Sequence, residues 1–297
     1  MENKHAYLFM IMNNLKVFEK ALKMIDDERN DIYIHVDLKS KEIEQIRNIT
    51  NKILKSKVFL VKRLDVRWGT YSLVECEMIL LEEATKNNGY KYYHLLSESD
   101  LPLKNQDQIH DFFDMKQGEE FIEFQNFSEE SFFSTRYKCY HIFKKNMKSK
   151  NKLVRYSTYI CEKIFLLMQY LLKIDITKKY NMKIQYGSQW FSITDEFARY
   201  ILKNKQLIFE IFRHGLCVDE HFLQTIAYNS KFKEKISKEG NMRLIIWKKN
   251  KNSPYVFRDN DYTTLMGSEK LFARKFQEQV DFGIVEKIYK NIKEREK

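Results

Sequence analysis

The sequence predicts an α/β protein: a Rossmann-like, mostly parallel sheet with helices on both faces. Two observations predict it. Across the first 125 residues, short apolar runs bounded by turn residues alternate with stretches of helical periodicity. Polar helix-start signals also sit just ahead of the helical stretches. With only 8 Gly and 2 Pro there is little room for flexible linkers. Residues 1–297 are therefore read as one domain, carrying a basic and apolar insertion over 131–183.

The elements follow in order. Ala6–Met12 is apolar throughout and too short to cross a bilayer, so it reads as a buried first strand. Leu15, Phe18, Leu22 and Ile25 then fall on one helical face. Ile32–Asp37 and Val58–Lys62 are the next strands. Ser72 and Glu75 carry a capping-box signature for the helix that follows. Tyr92–Ser97 is a strand, Asn105 and Gln108 repeat the helix-start signal, and Phe121–Phe124 is a further short strand. In such a sheet, ligands bind beyond the carboxyl ends of the strands. Asp37 ends the second strand and Asp100 follows Tyr92–Ser97, so both are placed to face a ligand. The first strand runs into Met12-Asn13-Asn14 with no GxGxxG, which counts against a dinucleotide fold.

The chain of 297 residues is 43% apolar, enough for a sizeable core. Its formal net charge of +11 favours an anionic partner: a nucleotide, a nucleic acid or a membrane surface. The charge is uneven. From Ser131 to Cys161 there is no acid, while Arg136, Lys138, Lys144, Lys145, Lys148, Lys150, Lys152 and Arg155 fall there. Tyr159–Leu172 follows, apolar apart from Glu162, Lys163 and Gln169; those charges argue against a membrane span. Two readings stand for this region. One is a core helix beneath a solvated basic loop. The other is a peripheral contact, with an apolar face inserted and lysines on anionic lipid. The 4 cysteines show no CxxC spacing, against a zinc ribbon or a disulfide scaffold. With no signal peptide in view, the expectation is a cytoplasmic protein with reduced thiols, peripheral on the inner face of the membrane under the second reading.

The chemistry concentrates between Gly187 and Thr225. Gly187-Ser188-Gln189-Trp190-Phe191 reads as a small-residue turn presenting two aromatic rings, a platform that suits the CH faces of a sugar. Core packing is the plain alternative for either ring. Asp219 reads as an N-cap with Glu220 in the first turn, where the helix dipole favours an ionised carboxylate able to take a proton from a hydroxyl. Acids are common in first turns, so helix stabilisation alone is the competing reading. Towards the C-terminus, Arg258, Lys270, Arg274 and Lys275 could meet a diphosphate or simply line a solvated face. Asp259-Asn260-Asp261 has an Asp-x-Asp spacing that hard cations favour, but it occurs often in turns. His214, Cys217, Asp219 and His221 are close in sequence, yet match no strong zinc pattern. Serine-nucleophile, kinase and P-loop signatures are absent.

Six stretches in order resemble the core-2/I-branching glycosyltransferase family, which includes the peptide O-xylosyltransferases. They are Ile34-His35-Val36-Asp37 with Lys39-Ser40; Trp68-Gly69 with Tyr71-Ser72; Leu95 to Leu103; Gly187 to Phe191; Asp219-Glu220; and Leu271 to Phe276. The Ser97-Glu98-Ser99-Asp100 and Ala273-Arg274-Lys275-Phe276 runs lean towards the xylosyltransferase branch. The resemblance implies a GT-A-type fold and inverting transfer from a UDP-sugar, GlcNAc or xylose foremost, with no required metal and no cofactor. It implies Glu220 as general base and Asp37, with Trp68 and Ser72, at the nucleotide-sugar. Arg258 and Lys275 would lie on the diphosphate. Asp100, Glu123, Arg136 and Trp190 would fall at the acceptor or sugar pocket. The implied partners are a UDP-sugar and a glycan or glycoconjugate acceptor. Animal members carry a membrane anchor and disulfides, for which this sequence gives no signal; it resembles a shorter, bacterial-type version. A reading from another class is a non-enzymatic nucleic-acid or anionic-membrane binding module, resting on the +11 charge and 14% aromatic content. It leaves the ordered motifs unexplained.

Overall fold

A computed structural model describes residues 4–86, 89–127, 132–249 and 253–294; Ser131, the first residue of the acid-free window, lies outside them. The strands and helices expected in the first half are present, joined by a helix at Ile43–Thr50 and a strand at Asp100–Pro102 that the sequence did not announce. In order come β1 (His5–Ile11), α1 (Leu15–Ile25), β2 (Asn30–Val36), α2 (Ile43–Thr50), β3 (Lys57–Leu60), α3 (Ser72–Lys86) and β4 (Tyr92–Ser97). Then follow β5 (Asp100–Pro102), α4 (Gln106–Met115) and β6 (Phe121–Phe124). The Asn105–Gln108 capping box forms: Gln108 N–H donates to Asn105 Oδ1 at 2.9 Å and Asn105 N–H to Gln108 Oε1 at 3.2 Å. The expected Ser72–Glu75 box does not. Ser72 Oγ instead accepts from Arg67 N–H at 2.8 Å and sits 2.7 Å from Thr70 Oγ1, so it closes the turn before α3.

The second half adds α5 (Thr135–Lys138), α6 (Lys152–Leu171), β7 (Gly187–Thr194), α7 (Asp195–Lys203), α8 (Lys205–Phe212), α9 (Phe222–Tyr228) and β8 (Arg243–Ile245). The chain ends with α10 (Tyr262–Met266), β9 (Phe272–Arg274) and α11 (Gly283–Glu294).

A six-stranded sheet runs in the order β3-β2-β1-β4-β7-β6. The β1, β2, β3 and β4 pairings are parallel; β7 is antiparallel to both β4 and β6. Both faces are covered, so the central strands need no polar side. On β1, Tyr7, Phe9 and Ile11 enter one core and Ala6 and Leu8 the other. Phe18 and Leu22 of α1 and Ile288 of α11 pack on the first face; Leu81 of α3 and Phe197 of α7 pack on the second.

Strand order reverses between β1 and β4, which opens a crevice at their carboxyl ends. Glu98 ties that point together: its carboxylate accepts from the backbone N–H of Met12 and, at 2.7 Å, of Asn13. Buried Asn14 then clamps the C-terminal segment onto the crevice. Its amide donates to the carbonyls of Glu98 (3.0 Å) and Phe276 (2.9 Å), and its oxygen accepts from Glu278 N–H (3.1 Å). A second sheet, β5-β9-β8, sets Asp100 opposite Arg274 in register.

Two sequence expectations are corrected. Gly187–Thr194 is a strand of the main sheet, not a turn. The Trp-Phe pair therefore splits by strand alternation: Phe191 is buried in the core, while Trp190 is only partly covered. Gly187 is required because a Cβ there would fall 1.8 Å from the Glu123 carbonyl oxygen. The second correction is that α6 is not a core helix; only Thr158, Glu162, Leu166 and Gln169 are buried along it.

Candidate active site

Glu220 lies in a short 3-10 turn, Val218–Glu220, not in the first turn of an α-helix as its sequence suggested. Asp219 is likewise inside that turn and caps nothing; α9 starts only at Phe222. The turn is fixed from three sides. Cys217 takes a left-handed conformation (φ 51°) and its N–H donates to Gly69 O at 2.9 Å. Leu216 N–H donates to Arg136 O at 2.7 Å. A Cβ on Gly215 would fall 2.7 Å from that same carbonyl, so no larger residue fits. The Trp68-Gly69 loop, α5 and the Glu220 turn thus form one constellation.

Within it, Arg136 Nη1 meets Glu220 Oε2 at 3.0 Å, both side chains about a third exposed (31% and 30%). Arg136 also lies over the Phe133 ring, 4.2 Å from its centroid. Burial pushes the Glu220 carboxyl above its usual range and Arg136 works against that shift. Asp219 beside it is buried outright and pushed up to about 8, by burial first and then by the Glu220 charge. Behind them Glu77, fully buried, is held well above the carboxylate range by burial and by Asp219. Its Oε1 accepts from Gln189 Nε2 at 2.9 Å, which is the task of the glutamine in Gly187-Ser188-Gln189. The partly exposed Glu220 carboxyl is thus backed by two buried acids that burial pushes up.

A second cluster forms around Trp190. Arg274 is mostly covered (side chain 12% exposed), with its guanidinium 3.9 Å from the Trp190 ring centroid and its Nε 3.6 Å from Asp100 Oδ1. Asp100 Oδ2 also accepts from Ser97 N–H, which pins it at the end of β4. Lys275 follows, half-buried and held below the usual lysine range by burial and by Arg274. The segment bearing Arg258 runs alongside, with Phe257 N–H donating to Lys275 O at 2.9 Å; Arg258 itself is exposed.

Asp37 sits at the end of β2 as expected, but it is engaged. Its carboxylate accepts from Lys39 N–H (2.8 Å) and Lys39 Nζ (3.0 Å), and the same ammonium reaches Asp65 at 2.7 Å. Trp68 is half exposed, with Lys148 Nζ 4.4 Å from its ring centroid. Glu123 on β6 pairs with Gln125 (3.0 Å), and its carbonyl accepts from Gln224 Nε2 (3.2 Å). The structure therefore joins Arg136 to Glu220, and Asp100 to Arg274 and Trp190, while Asp37, Ser72 and Arg258 lie outside both clusters. His214, Cys217, Asp219 and His221 do not converge: His214 packs on Tyr140, and His221 Nδ1 bonds Gln185 O at 2.9 Å. Asp259 faces Lys287 at 3.1 Å, and Asp261 accepts from Arg258 N–H at 2.7 Å.

Three residues of these clusters were not given their contacts by sequence reasoning. Glu98 and Glu77 act through backbone and amide partners far away in sequence, which no local pattern announces. Arg274 was grouped with its basic neighbours; the strand alternation Phe272, Arg274 beside Ala273 was the available clue.

The family model described as Core-2/I-Branching enzyme matches residues 5–270. The xylosyltransferase oxt of Drosophila melanogaster is 22% identical over 298 residues, covering 91% of this chain and 31% of that protein. The xylosyltransferase sqv-6 of Caenorhabditis briggsae is 29% identical over 129 residues, 36% of this chain and 16% of that protein. The chain thus spans less than a third of the length of these relatives. Among solved structures, mouse xyloside xylosyltransferase 1 in its apo form superposes with a TM-score of 0.43 at 10% identity, covering 91% of this chain and 96% of the other.

Proposed function

We propose that this chain, which belongs to the Core-2/I-Branching enzyme family, is an inverting glycosyltransferase of GT-A type. It moves a sugar from a UDP-sugar to a hydroxyl of a glycan or other acceptor, with no required metal. The observation that carries the reading is the Glu220–Arg136 pair: a partly exposed carboxyl pushed up by burial, with a guanidinium at 3.0 Å that favours its ionised form. A general base needs a raised but still ionisable carboxylate within reach of the acceptor.

The reaction is a single displacement. The acceptor oxygen attacks the anomeric carbon, its proton passes to the Glu220 carboxylate, and the bond from that carbon to the UDP oxygen breaks. UDP leaves with the electron pair. Lys275 and Arg258, on hydrogen-bonded segments beside the strand crevice, neutralise the charge on the departing diphosphate. Burial and Arg274 lower Lys275, and the Asp100 and Glu98 carboxyls work against that shift. Asp37 serves the nucleoside together with Lys39, while Trp68 and Ser72 shape the donor loop. Trp190, stacked on Arg274, offers its remaining face to a sugar ring; Asp100, Glu123 and Arg136 line the pocket. The relatives named xylosyltransferase support UDP-xylose as the first donor to test. UDP release is measured across UDP-xylose, UDP-GlcNAc, UDP-glucose and UDP-galactose with sugar acceptors. Turnover with one donor fits the reading; no UDP protection against thermal unfolding and no turnover with any donor reject it.

A further inference from the structure

The helix α6 is amphipathic the wrong way round for a helix in water. Of its four buried side chains, three are polar: Thr158, Glu162 and Gln169. Glu162 Oε1 meets His141 Nδ1 at 2.6 Å and its Oε2 accepts from Phe143 N–H at 3.1 Å, both side chains being buried. Gln169 bonds the backbone of Tyr140 twice, accepting from its N–H at 2.8 Å and donating to its oxygen at 2.9 Å. Its large apolar side chains face outward: Leu153 is 81% exposed, Tyr156 69%, Ile164 57%, Leu167 54%, Leu171 71% and Leu172 70%. A surface helix ordinarily buries its apolar arc and hydrates the other. Here buried polar bonds fix the opposite orientation, so the exposed arc is built in.

Charge identifies what covers it. Between 142 and 174 the only acid is Glu162, and it is buried against His141. Lys145, Lys150, Lys152, Arg155, Lys163 and Lys173 are all exposed around the apolar arc. A second copy packed helix to helix would set cation against cation with no acid to pair, which disfavours a dimer through this face. Apolar side chains ringed by cations match an anionic lipid surface, where the chains enter the headgroup boundary and each Lys or Arg adds about fivefold to binding. At 20 residues α6 is about 30 Å long. Among the described residues, no helix is long and apolar enough to cross a membrane, so α6 lies along the surface.

We propose that α6 and its flanking loops dock the protein on an anionic bilayer. The surface is coupled to the candidate site. Lys144 Nζ donates to the carbonyls of Arg213 (2.8 Å) and Gly215 (2.7 Å), just before the Glu220 turn, and Lys148 lies on Trp68. These two lysines hold the insertion to the body, so a test of lipid contact leaves them intact.

The full chain is sedimented with vesicles of phosphatidylcholine alone or mixed with phosphatidylglycerol. Expected is binding to the mixed vesicles at low salt, weakening as salt rises. Combining Lys152→Glu, Arg155→Glu and Lys163→Glu lowers it about a hundredfold or more. Combining Ile164→Ser, Leu167→Ser and Leu171→Ser, whose side chains meet no core, lowers it at least about tenfold. Circular dichroism and UDP-dependent thermal shift confirm that both variants stay folded. Failure to bind mixed vesicles at low salt, or equal binding to phosphatidylcholine alone, overturns the proposal. So does a stable dimer in sedimentation that the serine variant dissociates, since a second copy would then cover this face.

Discussion

Replacing Arg136 by Met removes the guanidinium from Glu220 but keeps an apolar stem against Phe133. The pair is 3.0 Å apart, with each side chain about a third exposed. A hydrogen bond to a charged group contributes about 1.5–3 kcal/mol when buried, while exposed ion pairs give roughly 0–1 kcal/mol. Partial exposure places this pair between the two, at about 1.5 kcal/mol, or about one pKa unit. The sign follows from the role. A general base works ionised, and Arg136 favours the ionised form against burial. Without Arg136 the Glu220 carboxyl moves further up, so the acidic limb of kcat/KM shifts to higher pH by about one unit. Activity below that limb falls about tenfold, and above it the two proteins converge. The assay is UDP release as a function of pH, with kcat/KM reporting the free enzyme. Arg136→Lys, which keeps a cation, retains most of the wild-type profile. An acidic limb unmoved in Arg136→Met, with only a pH-independent loss, would refute the coupling and leave Arg136 as an acceptor contact.

Three further outcomes are expected. Lys275→Ala weakens UDP binding by about 1.5–3 kcal/mol in calorimetry, the range for a charged hydrogen bond; unchanged affinity would remove it from the diphosphate. Activity persists in EDTA because cations of the chain take the leaving-group charge, and complete loss restored by manganese would make Asp259 and Asp261 suspects. The third concerns Glu77, whose carboxyl burial holds well above the usual carboxylate range, so its contribution is present below the unfolded pKa and lost as pH rises. Glu77→Gln therefore gains stability relative to wild type as pH rises above the unfolded carboxylate range. The melting-temperature difference between the two proteins tracks this, and a difference independent of pH contradicts the buried protonated acid.

The parallel strands were legible because a strand buried on both faces must be apolar throughout and bounded by turn residues. Ala6–Met12 displays this, and Tyr92–Ser97 nearly so, its buried His94 being hydrogen-bonded to His5 and Ser192. The Asn105 cap was legible because a capping box is a local exchange of two hydrogen bonds. β7 was hidden by its opening Gly187-Ser188, which reads as a turn; the glycine answers to the Glu123 carbonyl across the strand pair, a contact distant in sequence. The three-residue strands β5, β8 and β9 are too short to show any period. The Glu220 turn misled in a related way. Asp-Glu before an apolar run looks like a helix start, but the left-handed Cys217 and its bond to Gly69 impose a tighter turn first. α6 was ambiguous because periodicity says that a helix has two faces, not which of them meets the protein. The polar stripe Thr158, Glu162 and Gln169 was the clue, and only its partners His141 and Tyr140 turn it inward. Of the candidate site, Glu220, Arg136, Trp190 and Asp100 were named from sequence, while the contacts made by Glu77, Glu98 and Arg274 depend on tertiary structure.

The central claim is that Glu220 removes the acceptor proton. Glu220→Gln keeps the shape and a hydrogen-bonding group while abolishing the base. Turnover under saturating donor and acceptor, measured beside UDP affinity by calorimetry, tests it most directly. Turnover is expected to fall by roughly a hundredfold or more with UDP affinity essentially unchanged. Turnover near that of the wild type would contradict it.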